Sequence, residues 1–259
     1  MSGTMRRFVG ALLFIPIVAA VAFSQEASQW LLLALATMLV LEFSAMLSLP
    51  VALRAVLVMD FVLFALPAPL FARFEHIAGM SLMPVVAALG LLVVGLVWAT
   101  TRDRMAALFA GVLIACIVAT RGVLGLENGH FILLAMAAVI ASCDIAAYFV
   151  GRRVGGPRLA PLISPNKTRS GAIGGTIGAV AVCLWIASVS WVSPLEAIVG
   201  GVVIAALAQI GDLFESMLKR RVGVKDSGRL IPGHGGFLDR FDGYLLTLPA
   251  VYLYILAIS

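Results

Sequence analysis

Charged residues are scarce in this chain of 259 residues, where Asp, Glu, Lys and Arg together make up only 12%. Hydrophobic residues make up 62%, well above the roughly 45–50% of ordinary soluble domains. So few charges cannot give a globular domain a water-compatible surface, which excludes that class of protein. The composition is that of a polytopic membrane protein.

Cysteine is rarer still, with three residues in the chain. Cys116, Cys143 and Cys183 lie singly inside apolar stretches. No pair of them has the CxxC spacing of a zinc site or a redox centre. We therefore interpret all three as packing residues.

Long apolar runs, in contrast, recur along the whole chain. A membrane span takes about 17–25 mainly apolar residues, and nine runs qualify, with centres near residues 16, 39, 63, 90, 112, 140, 182, 204 and 250. The first run, 8–23, is read as a transmembrane helix rather than a signal peptide because similar runs follow it. Asp60 interrupts the run at 55–72. The sequence predicts an all-α polytopic membrane protein with about nine transmembrane helices.

Basic residues support this arrangement. If the N-terminus is cytoplasmic, all of the 18 Lys and Arg residues except Arg73 and Arg121 fall on the cytoplasmic side. Such an excess is typical of cytoplasmic segments, and it also attracts anionic lipid without any catalysis. We expect two long cytoplasmic loops, 151–170 and 216–242.

Carboxylates inside apolar runs need another explanation, because an ionised one costs several kcal/mol there. Asp212, Glu215, Ser216 and Lys219 are related to one another by steps of three and four, which predicts one polar stripe on a helix.

Asp144, Tyr148 and Arg152 repeat this spacing on another predicted helix. Each acid either belongs to a functional site or pairs with a cation of its own helix. The spacing alone leaves both interpretations open.

The loop after Lys219 combines three kinds of group. Its glycines in "PGHGG" let backbone N–H groups approach an anion, its cations suit phosphates, and its aspartates suit a hard divalent cation. A lone HGG is merely a turn, and "DRFD" also suits a helix start with favourable acids. Together they predict a metal–triphosphate site; the charged members are Lys225, Asp226, His234, Asp239, Arg240 and Asp242.

The run from Ser216 to Asp242, "SMLKRRVGVKDSGRLIPGHGGFLDRFD", resembles the signature of phosphatidate cytidylyltransferases, also called CDP-diacylglycerol synthases. The matching positions are Ser216, Lys219, Arg220, Lys225, Asp226, His234, Gly235, Gly236, Asp239, Arg240 and Asp242.

A second stretch, "SPNKTRSGAIGG" over 164–175, resembles the family motif SPKKTWEG. Asn166, Arg169 and Ser170 depart from it, so a role of the family's glutamate is not carried over to position 170.

The resemblance implies transfer of the cytidylyl group of CTP to phosphatidate with Mg²⁺ as cofactor; a second cation stays open. It implies a protein integral to the inner membrane with its active site facing the cytoplasm. Expected partners are CTP, phosphatidate and the bilayer, together with a possible homodimer, and no nucleic acid. The chain then divides into N-terminal transmembrane helices, 1–125, and a C-terminal catalytic region, 126–259.

On this resemblance Asp212 and Asp242 are the expected magnesium ligands, and Asp239 is a further ligand or an orienting group. The other expected catalytic residues are Lys219, Lys225, Asp226 and His234. The expected substrate-binding residues are Asp144, Ser164, Asn166, Lys167, Thr168, Ser216, Arg220, Gly235, Gly236 and Arg240.

Two other functions remain open at this point. One is a CTP-dependent lipid kinase of the polyprenol or phytol type, and the other is a non-catalytic carrier of anionic lipids.

Two acids in apolar helices and one glycine-rich segment each allow two interpretations. Glu42 and Asp60 either line a lipid entry route or pair with Arg54 or a neighbouring helix. The glycines of 171–178 permit close helix contact, inside the monomer or at a dimer face.

Overall fold

Helices dominate the computed structural model, which describes residues 14–78, 81, 83–190, 192–228, 231 and 235–258. The N-terminal half holds α1 (Phe14–Phe23), α2 (Gln25–Met46), α3 (Val51–Ala65), α4 (Ala68–Ala78), α5 (Met83–Thr101) and α6 (Arg104–Leu124). The C-terminal half holds α7 (Gly129–Val154), β1 (Arg158–Ala160), β2 (Ser164–Thr168), α8 (Arg169–Ser188), α9 (Pro194–Arg221), α10 (Leu238–Phe241) and α11 (Tyr244–Ile258).

Within these residues six helices, α2 and α5–α9, are long and apolar enough to cross a membrane, or seven spans if the bent pair α3–α4 counts as one. This confirms the all-α polytopic membrane class but not the count of nine. Helix α11 is apolar but only 15 residues long. The first predicted span lies partly outside the described residues, which begin at Phe14.

The bend between α3 and α4 is 104° and does not occur at Asp60. Helix α3 continues through Asp60 and ends at Ala65, because Pro67 disfavours a helical backbone at Leu66, which has ψ 134°. Arg121 Nε donates to the Leu66 carbonyl at 3.1 Å. The polar group freed by the break is thereby satisfied inside the apolar region.

In the structure the two predicted cytoplasmic loops are shorter than the sequence indicates. Helix α9 runs to Arg221, because its last turns contain good helix formers and the first left-handed residue is Gly223, with φ 77°. Helix α7 similarly extends to Val154. The remainder of the first loop forms an antiparallel hairpin of β1 and β2, which the all-α prediction did not include.

Glycines of α8 pack directly against α7. A Cβ atom would lie 2.5 Å from Val150 at Gly174 and 2.9 Å from the Cys143 carbonyl at Gly175. Close packing inside the monomer, one of the two alternatives, is therefore confirmed. This packing holds the hairpin beside the end of α7, because the hairpin leads directly into α8.

An aromatic stack joins the two halves of the chain. Phe109 of α6 lies between Phe43 of α2 and Phe214 of α9, with ring centroids 5.5 and 5.2 Å apart. Phe43 and Phe109 are fully buried. The stack anchors α2 against α9 directly beside Glu42 and Glu215.

Candidate active site

The hairpin carries a lysine to the polar stripe of α9. Lys167 belongs to strand β2, which ends at Thr168. The Thr168 hydroxyl accepts a hydrogen bond from the Gly171 N–H and caps α8. The Lys167 ammonium forms an ion pair with Asp212, whose other oxygen accepts from Ser216 at 3.4 Å. Asp212 therefore pairs with a lysine from another element rather than from its own helix.

Lys219 connects α9 to the following loop. Its ammonium lies 2.6 Å from Asp239 Oδ1 and 3.2 Å from Glu215 Oε2, and its side chain is only 10% exposed. The interpretation that Glu215 pairs with a cation of its own helix, Lys219, is therefore confirmed.

Asp239 organises this loop. Its oxygens accept hydrogen bonds from the backbone N–H groups of Ser227 and Gly236 as well as from Lys219. Burial alone would raise the pKa of Asp239, but these donors outweigh it and hold the pKa below its usual value.

Three other carboxylates face one another across the site. Asp144, Asp212 and Asp242 all line one cavity. Burial and then the charges of Asp212 and Asp144 raise the pKa of Asp242 to about 7, against the opposing effects of the Gly243 N–H and Lys167. The site therefore concentrates negative charge.

This charge concentration suits a divalent cation, because hard cations prefer several carboxylate oxygens. In the described part of the chain, however, no three His, Cys, Asp or Glu side chains are already gathered at ligand distances. Bound phosphate oxygens and water normally complete a magnesium site, so Asp144, Asp212 and Asp242 fit such an ion as partial ligands.

The cavity has a volume of about 600 Å³ and two chemically different ends. Its polar end is lined by the three carboxylates together with Asp239 and Arg240. Its walls are apolar side chains of α1, α2, α6, α7 and α11, among them Val18, Leu35, Leu124, Leu134 and Leu248. Such a cavity can hold a charged headgroup with an apolar tail.

Several predicted site residues lie outside this cavity. Arg220 donates to the carbonyls of Ile163 and Val224, both at 3.3 Å, and so connects the hairpin to the end of α9. Lys225 and Asp226 are exposed.

Asp144 is not paired with Arg152, the cation of its own helix. Arg152 instead donates to the Tyr148 hydroxyl at 2.9 Å.

The remaining predicted residues belong to the hairpin and the glycine turn. Ser164 pairs with Ala160 in the hairpin, and the exposed Asn166 accepts from Arg158 through its carbonyl. Gly235 forms a bridge with Ile231, and Gly236 donates to Asp239. His234 lies outside the described residues.

The sequence did not predict two residues that support the site. Glu42 of α2 accepts hydrogen bonds from the loop, and Ser227 is one of the donors. Arg54, the suggested partner of Glu42, donates to the Leu49 carbonyl instead. A carboxylate inside an apolar run was the available signal, but the sequence did not indicate a contact with residues so distant along the chain.

Comparison with known proteins places these features in a family. The Cytidylyltransferase family profile matches residues 5–258. A phosphatidate cytidylyltransferase of Brucella suis is 50% identical over 131 residues, covering 49% of this chain and 47% of the relative. One from Staphylococcus saprophyticus is 38% identical over 144 residues and 51% of each chain. The uncharacterized protein YnbB of Escherichia coli is 37% identical over 131 residues, covering 50% of this chain and 44% of YnbB.

These alignments span about half the length of the curated relatives, whereas the family match spans nearly all of this chain. The protein belongs to the Cytidylyltransferase family.

Proposed function

We propose that the protein transfers the cytidylyl group of CTP to phosphatidate, giving CDP-diacylglycerol and pyrophosphate. One observation carries the proposal: the cavity joins a cluster of carboxylates and Arg240 to apolar walls among membrane helices. The two substrates are a triphosphate and a lipid, so the reaction needs both environments in one site. The names of the Brucella and Staphylococcus relatives support the same reaction.

The reaction needs little covalent chemistry from the protein. A phosphate oxygen of phosphatidate attacks the α-phosphorus of CTP, and the bond from that phosphorus to the oxygen bridging the β-phosphate breaks. Pyrophosphate leaves with the electron pair of that bond. The attacking phosphate is already ionised at neutral pH, so the protein contributes positioning and compensation of charge.

Asp212 and Asp242, joined by Asp144, would hold Mg²⁺ at the polar end of the cavity. When bound, the ion would neutralise the negative charge on the reacting phosphates. Asp239 is already engaged by three donors, so we assign it to loop orientation rather than to the metal. Lys219, enclosed by Asp239 and Glu215, has the same orienting role.

Lys167 and Arg240 would bind the phosphates, since both lie by the carboxylates that would hold the ion. Lys225, Asp226, His234 and the Gly235–Gly236 turn would complete the nucleotide site from the loop.

The fate of labelled phosphate from CTP shows which phosphorus is attacked and so tests the proposed reaction. With CTP labelled at the α-phosphate, we expect label in the lipid and unlabelled pyrophosphate in solution. With CTP labelled at the γ-phosphate, we expect no label in the lipid. Transfer of the γ label would establish the kinase alternative, and folded protein that turns over no nucleotide would favour the carrier.

We also propose that the site faces the cytoplasm. The hairpin contacts α9 through Lys167–Asp212 and Arg220–Ile163, and α9 leads directly into the following loop, which supports a shared side for both loops. The excess of Lys and Arg in these segments favours the cytoplasmic side.

Single cysteines test this orientation in protein lacking its native cysteines. We expect Leu162→Cys, at a position 94% exposed, and Asp226→Cys to resist an impermeant thiol reagent until cells are opened. Ser190→Cys, in the exposed connection between α8 and α9, is the matched control and should react in intact cells. The reverse labelling pattern would invert the topology.

A further inference from the structure

Glu42 is a buried carboxylate on α2, far along the sequence from every residue of the signature loop. Glu42 is only 4% exposed, and the next residue along α2, Phe43, belongs to the aromatic stack. Burying a carboxylate is costly unless it is hydrogen-bonded. Its partners therefore indicate why the position is acidic.

Both hydrogen-bond donors that the described residues supply to Glu42 belong to the loop. Oε2 accepts from the Leu238 N–H at 2.9 Å and from the Ser227 hydroxyl at 3.2 Å. These two donors lie at opposite ends of the loop segment 227–238. One oxygen atom therefore holds the two ends together.

The loop is shaped to receive this carboxylate. A Cβ atom at Gly228 would lie 2.4 Å from Glu42 Oε1, and one at Gly236 would lie 2.5 Å from Oε2. Any larger residue would displace the carboxylate or the loop. Two glycines thus leave the space that Glu42 fills.

The same segment is held from its other side by Asp239. Ser227 donates its N–H to Asp239 and its hydroxyl to Glu42, so it bridges the two carboxylates. Asp239 in turn binds Lys219 at 2.6 Å, and Asp242 follows one helical turn later. A displacement of the loop at Glu42 would therefore reach both Lys219 and Asp242.

We propose that Glu42 is a positioning residue for cytidylyl transfer, and this inference rests on the proposed function. Its Oε2 atom holds Ser227 and Leu238 together, and through Asp239 and Lys219 it sets the place of Asp242 in the cavity. The role requires a hydrogen-bond acceptor and not a negative charge. A glutamine that presents its oxygen to Ser227 and Leu238 can fulfil it.

Two substitutions separate this role from a general contribution to stability. Glu42→Leu removes the acceptor, and we expect kcat at saturating CTP and phosphatidate to fall roughly ten- to hundredfold, as misplaced reacting groups do. Glu42→Gln should keep kcat within about threefold because the acceptor remains. Its buried amide nitrogen should lower Tm, so activity and stability would not change in parallel.

A matched control is Asp60→Asn. Asp60 is also a buried carboxylate of the N-terminal half, at 1% exposure, and its oxygens have no hydrogen-bond partner among the described residues. We expect its kcat to equal that of the wild type. A double-mutant cycle of Glu42→Leu with Ser227→Ala should be non-additive in kcat, because both changes act through one hydrogen bond.

Hydrogen–deuterium exchange provides a readout that does not depend on turnover. In protein without substrate, the backbone N–H groups of Ser227, Gly236 and Leu238 should exchange faster in Glu42→Leu than in the wild type, Glu42→Gln or Asp60→Asn. Unchanged exchange together with wild-type kcat in Glu42→Leu would overturn the inference, as would a Glu42→Gln variant as inactive as Glu42→Leu. If the wild type does not transfer cytidylyl groups, the proposed function fails, while exchange still decides whether Glu42 positions the loop.

Discussion

Asp212→Asn and Asp242→Asn should each lower turnover by roughly 10²-fold or more, the loss expected when a charge-stabilising group is removed. Both side chains line the polar end of the cavity, and asparagine keeps their size while removing the charge that would hold Mg²⁺. The Asp242→Asn variant should still fold. Its pKa is raised from 3.8 to about 7, so the ionised form is disfavoured in the folded protein and a neutral amide imposes no such cost.

The measurement is the rate of CDP-diacylglycerol formation as a function of Mg²⁺ concentration, with Tm recorded for each variant. Asp103→Asn is the matched control. Asp103 caps α6, a role that asparagine fulfils equally well, and its exposed ion pair with Arg221 contributes little. If Asp212→Asn and Asp242→Asn both retained near-normal magnesium-dependent rates, the assignment of the cation to this carboxylate cluster would be wrong.

Lys167→Met should raise the KM for CTP and lower kcat/KM by about ten- to hundredfold, since a hydrogen bond to a charged group contributes about 1.5–3 kcal/mol. Lys167 is the hairpin cation that reaches Asp212, and its side chain is still 29% exposed, so it can also contact a phosphate. Lys167→Arg keeps the charge and should lose much less activity than Lys167→Met.

Initial rates over a range of CTP concentrations test this expectation. Arg104→Met, which removes an exposed cation at the start of α6, should leave KM unchanged. If Lys167 only neutralises Asp212, the variant Lys167→Met would have normal CTP affinity. Combining it with Asp212→Asn would then cause no loss beyond that of Asp212→Asn alone.

Local spacing predicted the contacts that form within a helix. The step of four residues from Glu215 to Lys219 indicated their pairing, and the ion pair is present at 3.2 Å. The glycines of 171–178 similarly indicated a close helix contact, although the spacing did not identify α7 as the partner.

Contacts between elements could not be obtained in this way. Lys167 and Asp212 are 45 residues apart, and Lys219 and Asp239 are 20 apart. No periodicity relates such residues, because their approach depends on how α8 and α9 pack and on the path of the loop. The signature motif identified the participating residues, whereas their partners required the structure.

Element boundaries also depended on details that hydropathy does not register. Apolar runs located the helices, but Pro67 rather than Asp60 determined where α3 ends. The polar end of α9 suggested a loop from residue 216, although Leu218, Lys219 and Arg220 are good helix formers and continue the helix. Polarity indicated where the chain leaves the apolar region, and the backbone stayed helical beyond that point.

The contact of Glu42 with the loop also determines when the site can form during synthesis. Glu42 enters the membrane early, yet its two donors are made 185 and 196 residues later. A nascent chain that stops before Ser227 therefore leaves a carboxylate in an apolar helix without either donor, an arrangement that is expensive in lipid. The hydrogen bonds that stabilise this carboxylate can therefore form only after Leu238 has been synthesised, so the site cannot assemble from the N-terminal half alone.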